Sequence, residues 1–210
     1  MGEPRRAFLT CNKRGAIITV QRCDVVIAWL ILLASAFAAE VAPPHRARLD
    51  RIQQTLSPDV PRILCLDENF ATGGQPSAEA YPKAAANGFR AVLSLRTKAE
   101  GIDLMRERAQ VESVKMRYFN IPVNSASPRP EQANEFLRIA RDKANHPMLV
   151  NCSTANRVGA FMMILRVVDQ GWSEEQALDE AVRIGLTSDV LKRFAVDYIA
   201  RQKTKRSSPR

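Results

Sequence analysis

Cys152 and Arg157 stand five positions apart in Pro147–Ala160, PMLVNCSTANRVGA, the stretch whose residue types can do chemistry. The apolar run Met148-Leu149-Val150 reads as a strand that delivers Cys152 to a short polar turn, Ser153-Thr154-Ala155-Asn156. Arg157 then opens an apolar helix. Successive backbone N–H groups in such a turn point inward and form a nest for an oxyanion. The helix N-terminus adds partial positive charge at the same spot, and a guanidinium there can fork two oxygens of a tetrahedral anion. The same field favours the thiolate form of a cysteine, which is the nucleophile. Cys152 and Arg157 are therefore the candidate catalytic pair, and Ser153, Thr154, Ala155, Asn156 and Arg157 the candidate anion-binding loop. The arrangement suits displacement at phosphorus or sulfur. Its bland alternative is a buried cysteine at a strand end beside a salt-bridged arginine.

The elements that must position this pair alternate between short apolar runs and helical segments. Strands are predicted over Arg62–Leu66, Ala91–Leu95, Tyr118–Pro122 and Met148–Cys152, mainly from the breaks that flank them. The helices carry clearer signals. Ser77 caps one that runs to Asn87 and ends at Gly88. Others cover Ala99–Val114 and Glu131–Asn145, the second following two prolines. Arg157–Gln170 is apolar throughout and ends at Gly171. Ser173 and Gln176 form a capping box for Glu174–Ile184, which Gly185 terminates, and Thr187 caps a last helix toward Ala200. Such alternation implies an α/β fold: a small, mainly parallel sheet of four or five strands with helices on both faces.

The chain has 210 residues, 46% hydrophobic and 25% charged, which excludes a disordered chain and a disulfide-dense scaffold. Its formal charge of +9 is concentrated at the ends: residues 1–38 contribute +3 and residues 201–210 contribute +5. The body is thus nearly neutral and offers no basic face for nucleic acid. Val25–Ala38 is an uncharged run of 14 residues, short for a bilayer span of about 20. It fits the apolar part of a secretory signal with cleavage before Ala39, and an uncleaved membrane anchor is the rival. The basic stretch before it is long for a signal, which a start nearer Val20 would explain. The expected organisation is a signal peptide or anchor over 1–38, a proline-bearing linker over 39–60, one domain over 61–200 and a basic tail over 201–210.

Removal of the leader takes Cys11 and Cys23 with it and leaves Cys65 and Cys152, too few for a disulfide framework. A reversible bond between those two is the one redox device they allow; a buried, inert Cys65 is the plainer reading. His45 and His146 are the only histidines and complete no metal-ligand pattern. The glycines of Ala71-Thr72-Gly73-Gly74-Gln75 lack the lysine of a phosphate-binding P-loop and read as a tight turn leading to Ser77.

Three stretches together carry a resemblance: Asn69–Pro76 (NFATGGQP), Gly88–Thr97 (GFRAVLSLRT) with Glu100, and Asn151–Ala160 (NCSTANRVGA). The chain resembles bacterial cysteine phosphatases of the dual-specificity type, in a branch with a short active-site loop, over about residues 62–200. The resemblance implies hydrolysis of phosphate monoesters, on protein phosphotyrosine or phosphoserine or on a small molecule, through a phosphocysteine intermediate and with no cofactor. Cys152 would attack while Arg157 and the amides of Ser153, Thr154, Ala155 and Asn156 hold the phosphate. Arg96 and Asn124 would border the pocket.

The departures from the family pattern are specific. Four residues separate Cys152 from Arg157 where five are usual, Asn151 replaces a histidine, and Val158 replaces a serine or threonine. Asn124 occupies the position at which such phosphatases carry the aspartate that protonates the leaving oxygen. Glu131, Asp67, Glu68 and Asp103 are the other carboxylates that folding might bring to the site. The short loop and the missing acid also suit a rhodanese-like sulfurtransferase bearing a persulfide on Cys152. A non-catalytic anion-binding module is the third reading.

Overall fold

The computed structural model describes residues 44–207. Five strands form one sheet in the order β1-β2-β5-β3-β4. They are β1 (Leu64–Cys65), β2 (Phe70–Gly73), β3 (Ala91–Ser94), β4 (Arg117–Asn120) and β5 (Met148–Asn151). Only the β1–β2 pair is antiparallel; β2, β5, β3 and β4 run parallel. The α-helices among the described residues are α1 (Pro44–Leu56), α2 (Ala80–Ala86), α3 (Leu104–Ser113), α4 (Pro130–Arg141), α5 (Asn156–Val168), α6 (Glu174–Ile184) and α7 (Asp189–Ser207).

The sheet is covered on both faces, and alternation along its strands sorts the residues. Leu93, Met148 and Val150 point to one face, into a core shared with α4, α5, α6 and α7. Ala71, Val92 and Leu149 point to the other, against α1, α2 and α3. Helix α5 is buried on nearly its whole circumference, as an all-apolar helix between a sheet and other helices must be. Gly159 makes that possible. A Cβ there would lie 2.6 Å from the Ala181 carbonyl oxygen and 2.9 Å from Leu186 Cβ, so α5 and the end of α6 approach closely only because it is glycine.

Several expectations are corrected. Residues 44–56 of the expected linker form α1. Pro44 opens this helix, where its missing N–H costs nothing, and Pro58 lies beyond its end, so the prolines bracket the helix. Leu49, Ile52 and Leu56, at helical spacing, are buried against the sheet. The segment Ala71–Gly73, whose glycine reads as part of a turn, belongs to strand β2, and Gly74 follows it. These glycines serve close approach instead: a Cβ on Gly73 would meet Val60 Cγ1 at 2.5 Å, and one on Gly74 the Ser153 carbonyl oxygen at 2.9 Å. Ser77 does not cap α2; its hydroxyl donates to Asp59 Oδ1 at 3.3 Å, and Glu79 precedes the helix without a side-chain cap. The Ser173–Gln176 capping box and the Gly185 stop of α6 stand where expected. Helix α7 continues past Ala200 to Ser207, taking in most of the expected tail. The leader lies outside the described residues.

Candidate active site

Cys152 leaves β5, the central strand, at the carboxyl edge of the parallel strands, where ligands of α/β sheets bind. Its side chain is buried, and its N–H donates to the Gly73 carbonyl at 3.3 Å. The turn that follows is tied to the β2–α2 connection: Gly74 forms an antiparallel bridge with Thr154, and Gln75 N–H donates to the Ser153 carbonyl at 3.2 Å. Ala155 adopts the left-handed conformation, φ 65°, before the first residue of α5. This is the conformation that tightens the turn, and glycine would take it at lower steric cost.

Asn156 connects the turn to the start of α7. Its Nδ2 donates to Thr187 Oγ1 at 2.9 Å, and its Oδ1 accepts from the backbone of Thr187 and Ser188 at 3.1 and 3.3 Å. The side chain is therefore spent on the scaffold, which leaves the backbone N–H as what Asn156 can offer an anion.

Arg157 is buried and gripped from one end. Its Nη1 and Nη2 each lie 2.7 Å from an oxygen of Glu100, an end-on bidentate pair. Nη1 also reaches the carbonyl oxygens of Leu95 and Val123, both at 2.9 Å. Guanidinium has five N–H donors, so Nε–H and one Nη2–H are left for the Cys152 sulfur and a ligand beside it. These two lie side by side and form the fork that a phosphate accepts. Burial works to lower the pKa of Arg157 but is outweighed by the bonds to Glu100 and by the adjoining Cys152 sulfur, which raise it. For Glu100, burial pushes the carboxyl upward, yet the Arg157 bonds, the Thr97 amide and Arg96 hold it down at about 2.

Arg96 stands behind this pair. Its Nε lies 2.6 Å from Glu100 Oε2 as an ion pair not aligned as a hydrogen bond, and Nη1 donates to Gln75 Oε1 at 2.9 Å. Asn124 is exposed, and its Oδ1 accepts from Ala126 N at 2.9 Å within its own loop. The neighbouring Val123 carbonyl is what touches Arg157.

None of the other carboxylates considered as the acid reaches the pair. Asp67 closes the β1–β2 turn at the opposite sheet edge and pairs with Arg166 at 2.7 Å. Glu68 pairs with His45, Asp103 caps α3, and Glu131 sits in the first turn of α4. Glu100 is the carboxylate that the described residues bond to Arg157, and as a clamped anion it has no proton to give. Asn151, before the cysteine, is fully buried, with neither amide atom bonded among the described residues. Val158 is buried in the core.

Of the two readings of Cys65, the structure favours the buried, inert one over a reversible bond to Cys152; both cysteines are free and buried. Cys65 pairs with Ala71 and Ala71 with Leu149, three residues short of Cys152, and the two side chains enter opposite cores. Two strand spacings of about 4.8 Å already exceed the usual Cα separation of a disulfide. Burial pushes the Cys65 thiol up to about 11, which suits an inert hydrophobe. No group of His, Cys, Asp and Glu among the described residues could hold a metal ion.

Glu100 is visible in the sequence only through the resemblance, and Gln75 only within the Asn69–Pro76 stretch of that resemblance and as part of a glycine-rich turn. Glu107, Tyr81 and Tyr118, which lie behind Arg96, gave no sequence signal; their meeting depends on three separate elements.

A clamped arginine facing a strand-end cysteine across a four-residue turn is the frame in which the comparisons fall. The family model described as DSP-PTPase phosphatase fused to NAD+ kinase matches residues 46–195. The chain belongs to this family. It is a cysteine phosphatase of the dual-specificity type. Solved phosphatases share the fold. A DUF442 protein of Shewanella putrefaciens CN-32 aligns with TM-score 0.59 and 17% identity, over 68% of this chain and 94% of that one. A Cys-to-Ser form of P. aeruginosa TpbA in complex with pTyr aligns with TM-score 0.57 and 18% identity, over 70% and 91%. The core catalytic domain of the PP-IP phosphatase SIW14 of S. cerevisiae aligns with TM-score 0.57 and 16% identity, over 70% and 95%. No curated protein matches the chain.

Proposed function

We propose that this cysteine phosphatase hydrolyses phosphate monoesters with leaving groups that depart without protonation by the enzyme, aryl phosphates such as phosphotyrosine above all. The observation that carries the reading is the Arg157 guanidinium, held end-on by Glu100 through Nη1 and Nη2 and in contact with the Cys152 sulfur. The Cys152 thiolate attacks phosphorus, an S–P bond forms, and the P–O bond to the leaving group breaks. Arg157 and the turn amides of residues 153–157 stabilise the charge spread over the equatorial oxygens. The leaving phenoxide takes its proton from solvent. Water then attacks the phosphocysteine, releasing phosphate and regenerating the thiolate.

The lack of an acid near Arg157 among the described residues supports the leaving-group preference, because an alkoxide departs poorly without a proton. With Val158 at the usual serine or threonine position, breakdown of the phosphocysteine is the slow step. TpbA bound to pTyr and PTPMT1 bound to PI(5)P are relatives in fold that take phosphorylated ligands. The comparisons do not favour the sulfurtransferase reading.

The test is turnover of p-nitrophenyl phosphate beside an alkyl phosphate. The aryl ester is expected to turn over with a burst of one product per enzyme, and Cys152→Ser to be inactive while folded. Turnover retained in that variant, or an alkyl ester hydrolysed as fast as the aryl one, refutes the proposal.

The same proposal places the enzyme outside the cytoplasm, in the periplasm or secreted, with Val25–Ala38 as the apolar part of its signal. Intact mass of the protein made in an exporting host is expected to start at Ala39. A full-length chain in the membrane fraction would make the segment an anchor instead.

A further inference from the structure

Behind Arg96, on the sheet face covered by α2 and α3, lies a buried carboxylate that does not meet the reacting atoms. Glu107 of α3 is 3% exposed. Its Oε1 accepts from Gln75 Nε2 at 2.8 Å and Tyr81 OH at 2.9 Å, and its Oε2 from Tyr118 OH at 2.6 Å. All three donors are neutral. Burial first, and then Glu107 itself, push both phenols above their ordinary values, so they remain protonated donors.

This arrangement removes the usual ambiguity of a glutamine amide. A guanidinium only donates, so the Gln75 atom facing Arg96 Nη1 has to be the carbonyl oxygen, which turns the NH2 group to Glu107. Oε1 lies 2.9 Å from Arg96 Nη1. Arg96 in turn holds Glu100 through Nε at 2.6 Å and through Nη2 to the Glu100 carbonyl at 3.4 Å. Glu100 holds Arg157 with both oxygens. Gln75 thus stands between a buried carboxyl group and a guanidinium with one matching group for each. A residue unable to donate and accept at once would leave Glu107 short of a donor and Arg96 short of an acceptor, both buried, at a cost in orientation.

We infer that Gln75 is a positioning residue for the phosphate-binding guanidinium, acting through Arg96 and Glu100 on Arg157, with its own amide oriented by Glu107. The inference rests on the phosphatase reading. Gln75 touches neither Cys152 nor the Nε–Nη2 edge of Arg157; it fixes where that edge points. Misplacement of a catalytic group by a fraction of an ångström to an ångström costs up to about 100-fold.

The experiment measures p-nitrophenyl phosphate kinetics of the full chain, with inhibition by vanadate, a five-coordinate mimic of the transition state, and by inorganic phosphate. Gln75→Met is expected to lower kcat/KM at least tenfold and to weaken vanadate by a similar factor, while phosphate weakens less than threefold. In an Arg96→Lys background, where the guanidinium that Gln75 holds is gone, Gln75→Met is expected to add less than twofold. If Gln75→Met does not fold, Gln75→Asn, which keeps the amide but falls short of both partners, is expected to give the same pattern. A merely structural glutamine would reduce the fraction of active enzyme and leave both inhibition constants unchanged. Unchanged vanadate inhibition in a folded variant, or losses that multiply in the Arg96→Lys background, overturns the inference alone. A wild type without Cys152-dependent turnover overturns the phosphatase reading and the inference with it.

Discussion

Arg157 meets Glu100 end-on, with Nη1 and Nη2 each 2.7 Å from one carboxylate oxygen. The bond fixes the plane of the guanidinium and consumes its outer edge, so only the inner edge, Nε and Nη2, remains for the Cys152 sulfur and a ligand beside it. Two backbone carbonyls, from Leu95 and Val123, close the remaining side.

Glu100→Gln keeps the volume of this clamp and removes its charge. One amide NH2 would then face a guanidinium NH2, and the bidentate grip becomes single at best. The variant is expected to lose about 100-fold in kcat/KM, the scale of a misplaced catalytic group, while remaining folded. Steady-state kinetics with a thermal melt checks it; activity within threefold of wild type would show that Arg157 needs no clamp.

The same carboxylate predicts an acid limit to stability. Its folded pKa, about 2, lies below the ordinary 4.5. The unfolded chain therefore binds a proton on Glu100 more readily than the folded one as pH drops. The stability from the clamp is full above about pH 4.5 and falls away as pH approaches 2. Urea melts at pH 6, 4 and 3 are expected to show a steeper acid loss in wild type than in Glu100→Gln. Parallel curves would refute the linkage.

Gly159→Ala probes the packing that holds α5 in place. Its Cβ would enter within 2.6 Å of the Ala181 carbonyl oxygen, and backbone cannot yield as a side chain can. A loss of about 1–3 kcal/mol is expected, as for overpacked cores, read as a lower urea midpoint with an unchanged slope. Gly171→Ala, at a site with open space but φ 72°, tests strain without a clash; it is expected to cost only about 1 kcal/mol.

The local signals in the chain were sufficient for the strand, turn and helix that carry Cys152 and Arg157 and for the class of fold. A strand, a polar turn and an arginine at a helix start are contiguous in Met148–Arg157, so their order already places a thiol beside a nest of amides. The capping box of α6 and the buried α5 were legible for the same reason: each depends on residues within one or two turns. Helix α1 was masked because composition counts prolines without asking which side of the helix they stand on. Strand β2 was masked because Gly73 and the following Gly74, read as a turn, answer to Val60 and Ser153, neither of them a neighbour in sequence. The bonds Arg96–Gln75, Gln75–Glu107 and Arg157–Glu100 join residues 21, 32 and 57 positions apart. Bonds of that kind exist only once parallel strands stand side by side, because sheet formation sets which strand ends share an edge. Spacing along a chain can propose a nucleophile, but the direction in which a guanidinium faces is decided by what the finished fold puts behind it.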